Sequence, residues 1–515
     1  MSQSKSLFRS TTMVSGITSI SRILGFLRDM LIAQLFGAVP AIDAFYVAFR
    51  IPNFMRGLFA EGAFAQAFVP VLSEYRQQRS FEEVRQFISR MQGSLGLVLL
   101  LVVMLAVIFT PWLTRIFAPG FVHDPNRFHL ATHMLRITFP YLMLISLTAF
   151  YGSVLNSYGM FGVPAFTPVL LNLVMIIAAV WMAPHFHEPV VALAVGVLIA
   201  GIMQFLFQLP FLKYRGLFVW PTLHWHDEGV RRVIKLLIPA LFGVSVAQIS
   251  LLVDTLFASF LPAGSITWLY YSDRLTYFPL GIFGVALATV VLPHLSRNHA
   301  DKSAQEFSIV LDWALRCVLV IAIPAGIGLF MLAKPLFTTL FQYGRFNPYD
   351  VFMAGRSLRA YAFGLPAFML VKVLASGFYS QQDIKTPVRV AVIALIANML
   401  LNFILIWPLA HAGLALATSL SSSLNAGLLA WYLIRRKAFQ LQKGWGVYLL
   451  RLFIASFVTW AVLTWLTPQL GVWIHWSWHQ RVLYLLFLIF ASMAAYFITL
   501  RVVGVRLRDF RVVTK

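Results

Sequence analysis

Long apolar segments constrain this chain more than any other feature. Each is about 20 residues long or longer, and a helix of that length crosses the hydrocarbon core of a bilayer, which is about 30 Å thick. We therefore predict an all-α polytopic membrane protein with about 14 transmembrane helices. The apolar segments lie at 14–37, 41–72, 92–116, 132–155, 163–183, 189–213, 232–261, 266–297, 307–335, 352–380, 386–408, 411–436, 447–468 and 480–504.

The composition excludes a soluble protein. Hydrophobic residues make up 60% of the chain and charged residues 11%, and the mean hydropathy is +0.81. The net charge of +22 would indicate nucleic acid in a soluble chain, but cytoplasmic loops of membrane proteins collect Lys and Arg, so no nucleic-acid partner is predicted. The single cysteine, Cys317, excludes an internal disulfide and a cysteine-based metal site.

The positions of basic residues predict the orientation. The intervening loops at 183–189, 261–265 and 408–413 contain neither Lys nor Arg, so both termini are predicted to be cytoplasmic. The loop at 334–359 is an exception, whose basic side chains can extend to the interface from helix ends. The basic residues of alternate loops are Lys5, Arg9, Arg76, Arg79, Arg85, Arg90, Lys213, Arg215, Arg231, Arg232, Lys235, Arg297, Lys302, Lys385, Arg389, Arg435, Arg436, Lys437, Lys443, Arg501, Arg506, Arg508, Arg511 and Lys515.

An internal repeat divides the chain. Pro70 aligns with Pro293, and Pro164 aligns with Pro387, at a shared offset of 223 residues. This indicates a duplicated six-helix bundle, and repeats in transporters place the substrate site where the halves meet. The predicted parts are an N-terminal six-helix lobe at 1–220, a C-terminal six-helix lobe at 221–440, and two additional helices with a basic cytoplasmic tail at 441–515.

Charged residues inside the predicted spans indicate a polar site. An ionised side chain near the bilayer centre costs about 2.5–3.5 kcal/mol, so such residues face a protein interior or a water-filled cavity. Arginines outnumber carboxylates between residues 21 and 70, and the surplus of positive charge predicts an anionic ligand. The charged residues of this stretch are Arg22, Arg28, Asp29, Asp43, Arg50, Arg56 and Glu61; the second half adds Asp254, Asp273, Arg274 and Lys372.

The preference for arginine over lysine narrows the chemical class of the predicted ligand. A guanidinium keeps its proton in almost any environment and offers a planar fork of donors that matches two oxygens of a phosphate. A group of arginines in a cavity therefore favours a phosphate or diphosphate over a simple carboxylate.

Four motifs resemble the MurJ (MviN) family of bacterial lipid II flippases. They are SRILGFLRD at 21–29, DAFYVAFRIPNFMRGLFAEGAFAQAFVP at 43–70, YYSDRL at 270–275 and GFYSQQDIKTP at 377–387. The resemblance implies the fold of the multidrug/oligosaccharidyl-lipid/polysaccharide exporter superfamily and a bacterial inner-membrane location. It also implies lipid II as the substrate, an undecaprenyl-diphosphate disaccharide-pentapeptide carried to the periplasmic leaflet by alternating access for peptidoglycan synthesis.

The resemblance also assigns roles to residues. Arg22, Arg28, Arg56 and Arg274 would bind the diphosphate and sugar head group. Asp29, Asp43, Asn53, Glu61 and Asp273 would shape or gate the cavity, to which Arg50 and Lys372 also belong by their place in the spans. Where relatives can carry a glutamate this chain has Tyr277. A groove beside the last two helices would hold the lipid tail, although those helices could equally serve as packing alone.

Some relatives hold a sodium ion, and the matching positions here are Asp254, Asn398, Asn402 and Thr418. Oxygen ligands suit a hard cation, but Asn402 stands where such relatives have a carboxylate. The alternative interpretation is that Asn398 and Asn402 form interhelical hydrogen bonds. No resident cofactor is predicted, and coupling to sodium, protons or the membrane potential stays open.

Three other classes of protein are alternatives to a lipid II flippase. An exporter of another polyprenyl-linked glycan would also need arginines, whereas a drug exporter would not need so many. An intramembrane glycan transferase needs acid/base residues on a sizeable loop, but the histidines lie in short loops and are interpreted as solvated. No GK[ST] phosphate-binding loop is present, so ATP hydrolysis is not predicted. Without a recognisable catalytic or ATP-binding motif, we predict a transporter and not an enzyme.

The segment 74–92 is predicted to be an amphipathic helix on the inner leaflet, with docking of a partner as the alternative. Its apolar side comprises Phe81, Val84, Phe87, Ile88 and Met91. We expect a monomer whose partners are lipid II, membrane lipids and the cell-wall synthesis machinery.

Overall fold

A computed structural model describes residues 2–57, 63–284, 292, 295 and 304–506, with the backbone alone at 2–11, 63, 242–248 and 304. Glu61 therefore lies outside the described residues. The described residues form helices and no strand, which confirms the predicted all-α class. The chain divides into two compact units, Met1–Gly264 and Ser265–Lys515.

The first unit is built from ten described helices. Several begin at proline, whose fixed φ suits the first helical position and whose missing N–H costs nothing there. The helices are α1 (Ser2–Phe36), α2 (Pro40–Arg56), α3 (Ala63–Gln78), α4 (Phe81–Ile108), α5 (Thr110–Phe117), α6 (Pro125–Thr138), α7 (Pro140–Ser157), α8 (Gly162–Ile177), α9 (Val191–Tyr214) and α10 (Glu228–Ser259).

The second unit has nine described helices. Its apolar core lies among α12, α14 and α16, and the last two long helices pack on each other and on α12. The helices are α11 (Ser265–Pro279), α12 (Ala304–Met331), α13 (Ala333–Leu340), α14 (Pro348–Tyr379), α15 (Lys385–Leu409), α16 (His411–Arg435), α17 (Trp445–Leu466), α18 (Leu470–His475) and α19 (Trp478–Val502).

Within the described residues, 10 helices are long and apolar enough to cross a membrane. The other predicted spans, at 14–37, 41–72, 232–261 and 266–297, are the ones that carry most of the charged residues of the predicted site. The chain is thus a multi-pass membrane protein, and the predicted number of 14 spans stays a prediction.

Capping side chains fix where several long helices begin. Ser80 accepts a hydrogen bond from the backbone of Glu83, whose carboxylate accepts one from Ser80 in return. Asn347 and Asp350 form the same reciprocal arrangement at the start of α14. Such capping boxes pair backbone N–H groups that the helix itself leaves without partners.

The placement of segment 74–92 on the membrane surface is wrong. Its first residues end α3 at Gln78, and α4 begins at Phe81 and continues to Ile108. Most of the predicted apolar side is buried within the first unit, and Phe87 stacks on Tyr75 with ring centroids 4.5 Å apart. The buried residues are Val84, Phe87, Ile88 and Met91, whereas Phe81 is exposed.

Residues 220–222 of the same chain cover the first part of α4. The Ser89 hydroxyl donates to the carbonyl of Trp220 at 2.6 Å, and the Thr222 N–H donates to the Ser89 carbonyl at 3.2 Å. At Gly93 a Cβ atom would lie 2.2 Å from the Thr222 carbonyl oxygen, so only glycine allows this approach. An amphipathic pattern alone does not show whether the apolar side of a helix faces lipid or is covered by another segment of the same protein.

Candidate functional site

Arg28 and Asp29 form a buried ion pair in α1. Arg28 is only 4% exposed, and its Nη2 lies 2.6 Å from Asp29 Oδ1. Its Nη1 donates to Asn172 Oδ1 on α8 at 3.1 Å, and the Asn172 amide donates to the carbonyl of Ser21 at 2.9 Å. The hydrogen bond to Asn172 holds the guanidinium of Arg28 against α8. The carboxylate of Asp29, on α1 itself, partly neutralises its charge.

Arg22 lies in the same helix but differs in environment. Its side chain is exposed. Six residues separate it from Arg28, which corresponds to a rise of about 9 Å along a helix. The two arginines are therefore close enough to contact different parts of one extended anionic ligand.

Arg50, Asn53 and Arg56 lie on the second half of α2. Arg56 is half-buried and donates from Nε to Asn53 Oδ1 at 2.8 Å. Arg50 donates from Nη1 to the Thr255 hydroxyl of α10 at 2.6 Å. In both of these contacts the acceptor is a neutral oxygen.

Asp43 anchors the beginning of α2. It is fully buried, accepts from the Gly264 backbone N–H at 2.7 Å, and lies 3.2 Å from Nη2 of Arg127. Arg127 also lies over the ring of Phe121 at 4.2 Å. Thirteen residues separate Asp43 from Arg56, about 20 Å along a helix. The two residues therefore do not act on the same ligand atom.

In the second unit, Asp273 is half-buried and Arg274 is exposed on α11. Arg274 lies over the ring of Tyr270 at 5.3 Å, and its Nη2 donates to the Tyr270 hydroxyl at 3.1 Å. Tyr277 is 52% exposed, and Lys372 is exposed on α14.

The residues of the candidate sodium site fall in both units. Asp254 is buried in the first. In the second, Asn402 donates to Asn398 Oδ1 at 3.1 Å, and Asn398 donates to the Thr418 hydroxyl at 3.3 Å. The oxygens are of the type that sodium binds. The Asn398–Thr418 hydrogen bond joins α15 to α16, as the alternative interpretation expects, whereas the Asn402–Asn398 hydrogen bond lies within α15. In the described part of the chain, no group of three or more His, Cys, Asp or Glu side chains is placed to hold a metal ion.

The sequence analysis did not identify several residues that contact the predicted site. Asn172, Thr255 and Arg127 each contact a predicted site residue from a distant helix. A signal for Asn172 exists, since it is an amide within the apolar segment 163–183. Thr255 has no such signal, because threonine is common in transmembrane helices as a donor to its own backbone, here to Leu251.

An apolar cavity of about 410 Å³ lies within the second unit. Its walls are side chains of α12, α14 and α16, together with Trp445 at the start of α17. Ser423 is the polar residue among those that line it. The cavity can therefore accommodate hydrocarbon but offers little to a charged group.

Solved structures define the class. An inward-facing multidrug resistance MATE family transporter of the MOP superfamily matches with a TM-score of 0.65 at 14% identity, covering 83% of this chain and 98% of that one. A mutant form of the Vibrio cholerae MATE transporter VcmN matches with a TM-score of 0.56 at 15% identity, covering 85% of this chain and 99% of that one. The chain therefore has the fold of MOP-superfamily membrane transporters.

Closer relatives define the family. The family model described as lipid II flippase MurJ matches residues 32–499, and the chain belongs to this family. The probable lipid II flippase MurJ of Vibrio cholerae serotype O1 is 46% identical over 519 residues, covering 99% of each chain. The lipid II flippase MurJ of Burkholderia cenocepacia is 43% identical over 463 residues, covering 89% of this chain and 90% of the relative.

A solved lipid II flippase MurJ in an inward closed conformation matches with a TM-score of 0.80 at 29% identity, covering 95% of this chain and 98% of that one. These similarities confirm the predicted family and superfamily. They do not favour the alternatives of a drug exporter, another glycan exporter or a transferase.

Proposed function

We propose that this protein moves lipid II from the cytoplasmic to the periplasmic leaflet of the bacterial inner membrane, where it supplies peptidoglycan synthesis. The observation that carries the proposal is the full-length similarity to proteins named lipid II flippases, which covers 99% of this chain in one relative. The chemistry of the arginines supports it, since lipid II carries a diphosphate.

Arg22, Arg28 and Arg56 in the first unit and Arg274 in the second bind the head group in this proposal. Arg22 and Arg274 are exposed residues, so a diphosphate can reach their side chains in this proposal. Arg28 is held by Asp29 and Asn172, so it acts on the ligand through its charge or after exchanging a partner. Planar donor forks suit the paired oxygens of a diphosphate.

The proposed movement is alternating access between two lobes. The predicted lobes at 1–220 and 221–440, with 441–515 added, rest on the repeat of 223 residues, whereas the compact units divide after Gly264. Both termini are cytoplasmic in this proposal, since the basic loops require it. The cavity and gating residues are Asp29, Asp43, Arg50, Asn53, Glu61, Asp273 and Lys372.

No covalent step is needed, so the protein acts as a transporter and not as an enzyme. A charge that crosses the membrane couples to the potential by about 2.3 kcal/mol for each 100 mV. The potential can therefore drive the cycle without a bound ion, and sodium at Asp254, Asn398, Asn402 and Thr418 is the competing proposal. We further propose that the protein works as a monomer beside the cell-wall synthesis machinery.

Complementation tests the substrate and the site. A host depleted of its own lipid II flippase would express the wild type, Arg28→Ala or Arg274→Ala at matched membrane levels, with lipid II on the periplasmic face as the readout. Arg231→Ala and Arg389→Ala are matched controls, because both arginines are exposed and lie outside the predicted site.

We expect rescue by the wild type and both controls, and a loss of periplasmic lipid II of about tenfold or more for each site variant. Normal lipid II exposure in both site variants would refute the arginine site. A well-expressed wild type that fails to rescue would refute lipid II as the substrate and favour another polyprenyl-linked glycan.

A further inference from the structure

The position of Arg274 depends on the helix that carries it. Its guanidinium contacts Tyr270, which lies one turn earlier on α11. A contact within one helix does not determine where that helix lies, so the place of Arg274 in the second unit depends on how α11 packs. Two side chains of α11, Trp268 and Ser272, connect it to α14.

Trp268 makes the first connection, near the beginning of α11. The residue is 2% exposed, and its indole N–H donates to Asp350 Oδ1 at 3.0 Å. The other oxygen of this carboxylate, Oδ2, accepts from the backbone N–H of Asn347 at 3.0 Å, within the capping box that begins α14. The beginning of α14 therefore holds the acceptor of the indole in place.

Two aromatic side chains confine the same indole. The ring centroid of His411, the first residue of α16, lies 5.0 Å from that of Trp268, and the Tyr349 ring meets the indole edge-on at 5.7 Å. His411 Nε2 lies 2.9 Å from the carbonyl oxygen of Met353 on α14. One hydrogen bond and two ring contacts thus hold Trp268 where α11, α14 and α16 meet.

Ser272 makes the second connection. It is fully buried, and its hydroxyl lies 2.8 Å from the carbonyl oxygen of Ala354 on α14. Ser272 follows Trp268 by four residues, and their acceptors, on Ala354 and Asp350, are also four residues apart. The two connections are therefore about one helical turn apart on both helices. They fix the register of α11 against α14, because a shift by one residue would break both.

This packing places Arg274 on the opposite face of α11. It follows Ser272 by two residues, which corresponds to a rotation of about 200° around the helix axis. Ser272 is buried against α14, whereas Arg274, Tyr277 and Phe278 are exposed. A rotation of α11 by about 30° would move a group about 6 Å from the helix axis by about 3 Å. A hydrogen bond does not survive a displacement of that size.

The first unit contains a comparable connection. Asp350 follows Arg127 by 223 residues, which is the offset of the internal repeat. Nη2 of Arg127 lies 3.2 Å from Oδ2 of Asp43, at the beginning of α2, the helix that carries Arg56. In each unit, the residue at this position of the repeat therefore holds the beginning of a helix with a predicted head-group arginine.

We propose that Trp268 and Ser272 are positioning residues for Arg274. They hold α11 at one register and one rotation on α14, so that the guanidinium of Arg274 meets the diphosphate of the substrate. The proposal rests on the proposed function for the role of Arg274, and it adds two residues that act on the ligand only through that arginine.

A double-mutant cycle on ligand affinity tests this positioning role. The purified full chain in phospholipid nanodiscs would be titrated with undecaprenyl diphosphate, which carries the diphosphate of lipid II without its sugars and peptide. We expect Trp268→Phe, which keeps a ring but loses the N–H, and Ser272→Ala each to raise the Kd by about threefold or more. In an Arg274→Ala background, neither change should raise the Kd further.

Trp473→Phe is the matched control, because it makes the same change at a buried tryptophan of the second unit that lies on α18. It should leave the Kd at the wild-type value. Thermal unfolding of each variant identifies misfolding, and the number of binding sites per protein separates a lower affinity from a smaller folded fraction. A purely structural role would reduce that number without changing the Kd, and this result would contradict the proposal.

The outcomes distinguish this proposal from the proposed function. An equal loss of affinity in the wild-type and Arg274→Ala backgrounds would overturn it, and so would an unchanged Kd in both single variants. An Arg274→Ala variant that binds as the wild type does would overturn it together with the head-group role of Arg274. The expected cycle in a chain that fails to rescue the depleted host would support the positioning residues and refute lipid II alone.

Discussion

The sequence identifies some residues of the candidate site but not the contacts that they make. The sequence identifies Arg28 because a charge in an apolar segment is costly. It does not pair Arg28 with Asn172, because the two residues are 144 positions apart and come into contact only where α1 and α8 pack. The sequence therefore predicts which residues carry charge, and tertiary packing determines which of those charges are already engaged.

Asp383 provides a prediction at this scale, outside the membrane-spanning helices. Burial acts to raise its pKa, but hydrogen bonds from Thr386 and Arg436 outweigh burial and lower the pKa to about 2. An unfolded Asp has a pKa of about 4. The carboxylate therefore stabilises the fold above about pH 4, and this contribution is lost as the pH falls toward about 2.

We expect Asp383→Asn to lower the free energy of unfolding by about 1 kcal/mol or less near pH 7, as is typical of partly exposed ion pairs. The difference from the wild type should disappear as the pH approaches about 2. Thermal unfolding of the purified protein across this pH range measures it, with the exposed Glu188→Gln as control. A difference that grows on acidification would contradict the assigned sign.

Whole elements were predicted well where the hydrophobic pattern alone decides them. The long apolar helices from α12 to α19 follow the predicted segments, because apolar length is sufficient to define a span. The segment 74–92 failed because its pattern fits a lipid surface and a protein surface equally well. What covers an apolar face is a tertiary property that periodicity does not contain.

Arg481 on α19 also makes tertiary contacts that the hydrophobic pattern does not predict, and it provides a second prediction. It is buried, and its guanidinium binds the C-terminal ends of α13 and α18 through backbone carbonyls. A lysine has one nitrogen and cannot reach acceptors that lie on several sides. The acceptors are the carbonyl oxygens of Thr338, Gln342, Trp473, Ile474 and Trp476, at 2.8–3.4 Å.

Arg481→Lys should therefore lower the free energy of unfolding by about 3 kcal/mol, because several buried carbonyls lose a charged donor. Hydrogen exchange across α18 and α13 should increase at the same time, as measured by mass spectrometry. Arg501→Lys on the exposed face of the same helix is the matched control. Equal protection in the two variants would show that the carbonyl contacts do not hold these elements together.

At the scale of the whole molecule, the sequence established the membrane class, and the motifs indicated the family that the comparisons confirmed. Within the described residues 10 helices are long and apolar enough to span a membrane, and the predicted number of 14 stays a prediction. A charge inside a span lowers the mean hydropathy by which spans are recognised.

The source of energy is a property of the whole cycle and gives a third prediction. Asn398, Asn402 and Thr418 are already joined by hydrogen bonds, and an amide at position 402 adds no negative charge for a cation. We expect that replacing sodium by potassium in the medium changes lipid II exposure by less than about twofold. The complementation host measures this at constant membrane potential, and a fall of about tenfold would instead establish sodium coupling.

The anchoring of Asp43 at the start of α2 has a mechanical consequence. Its contacts with Gly264 and Arg127 fix one end of the helix, so we expect a tilt of the helix to pivot about that end. Arg56 lies about 20 Å from the pivot, and a tilt of about 10° displaces it by about 3–4 Å. In the proposed function that distance separates holding a phosphate oxygen from releasing it, so we expect α2 to act as a lever that converts a small rotation into the loss or gain of a ligand contact.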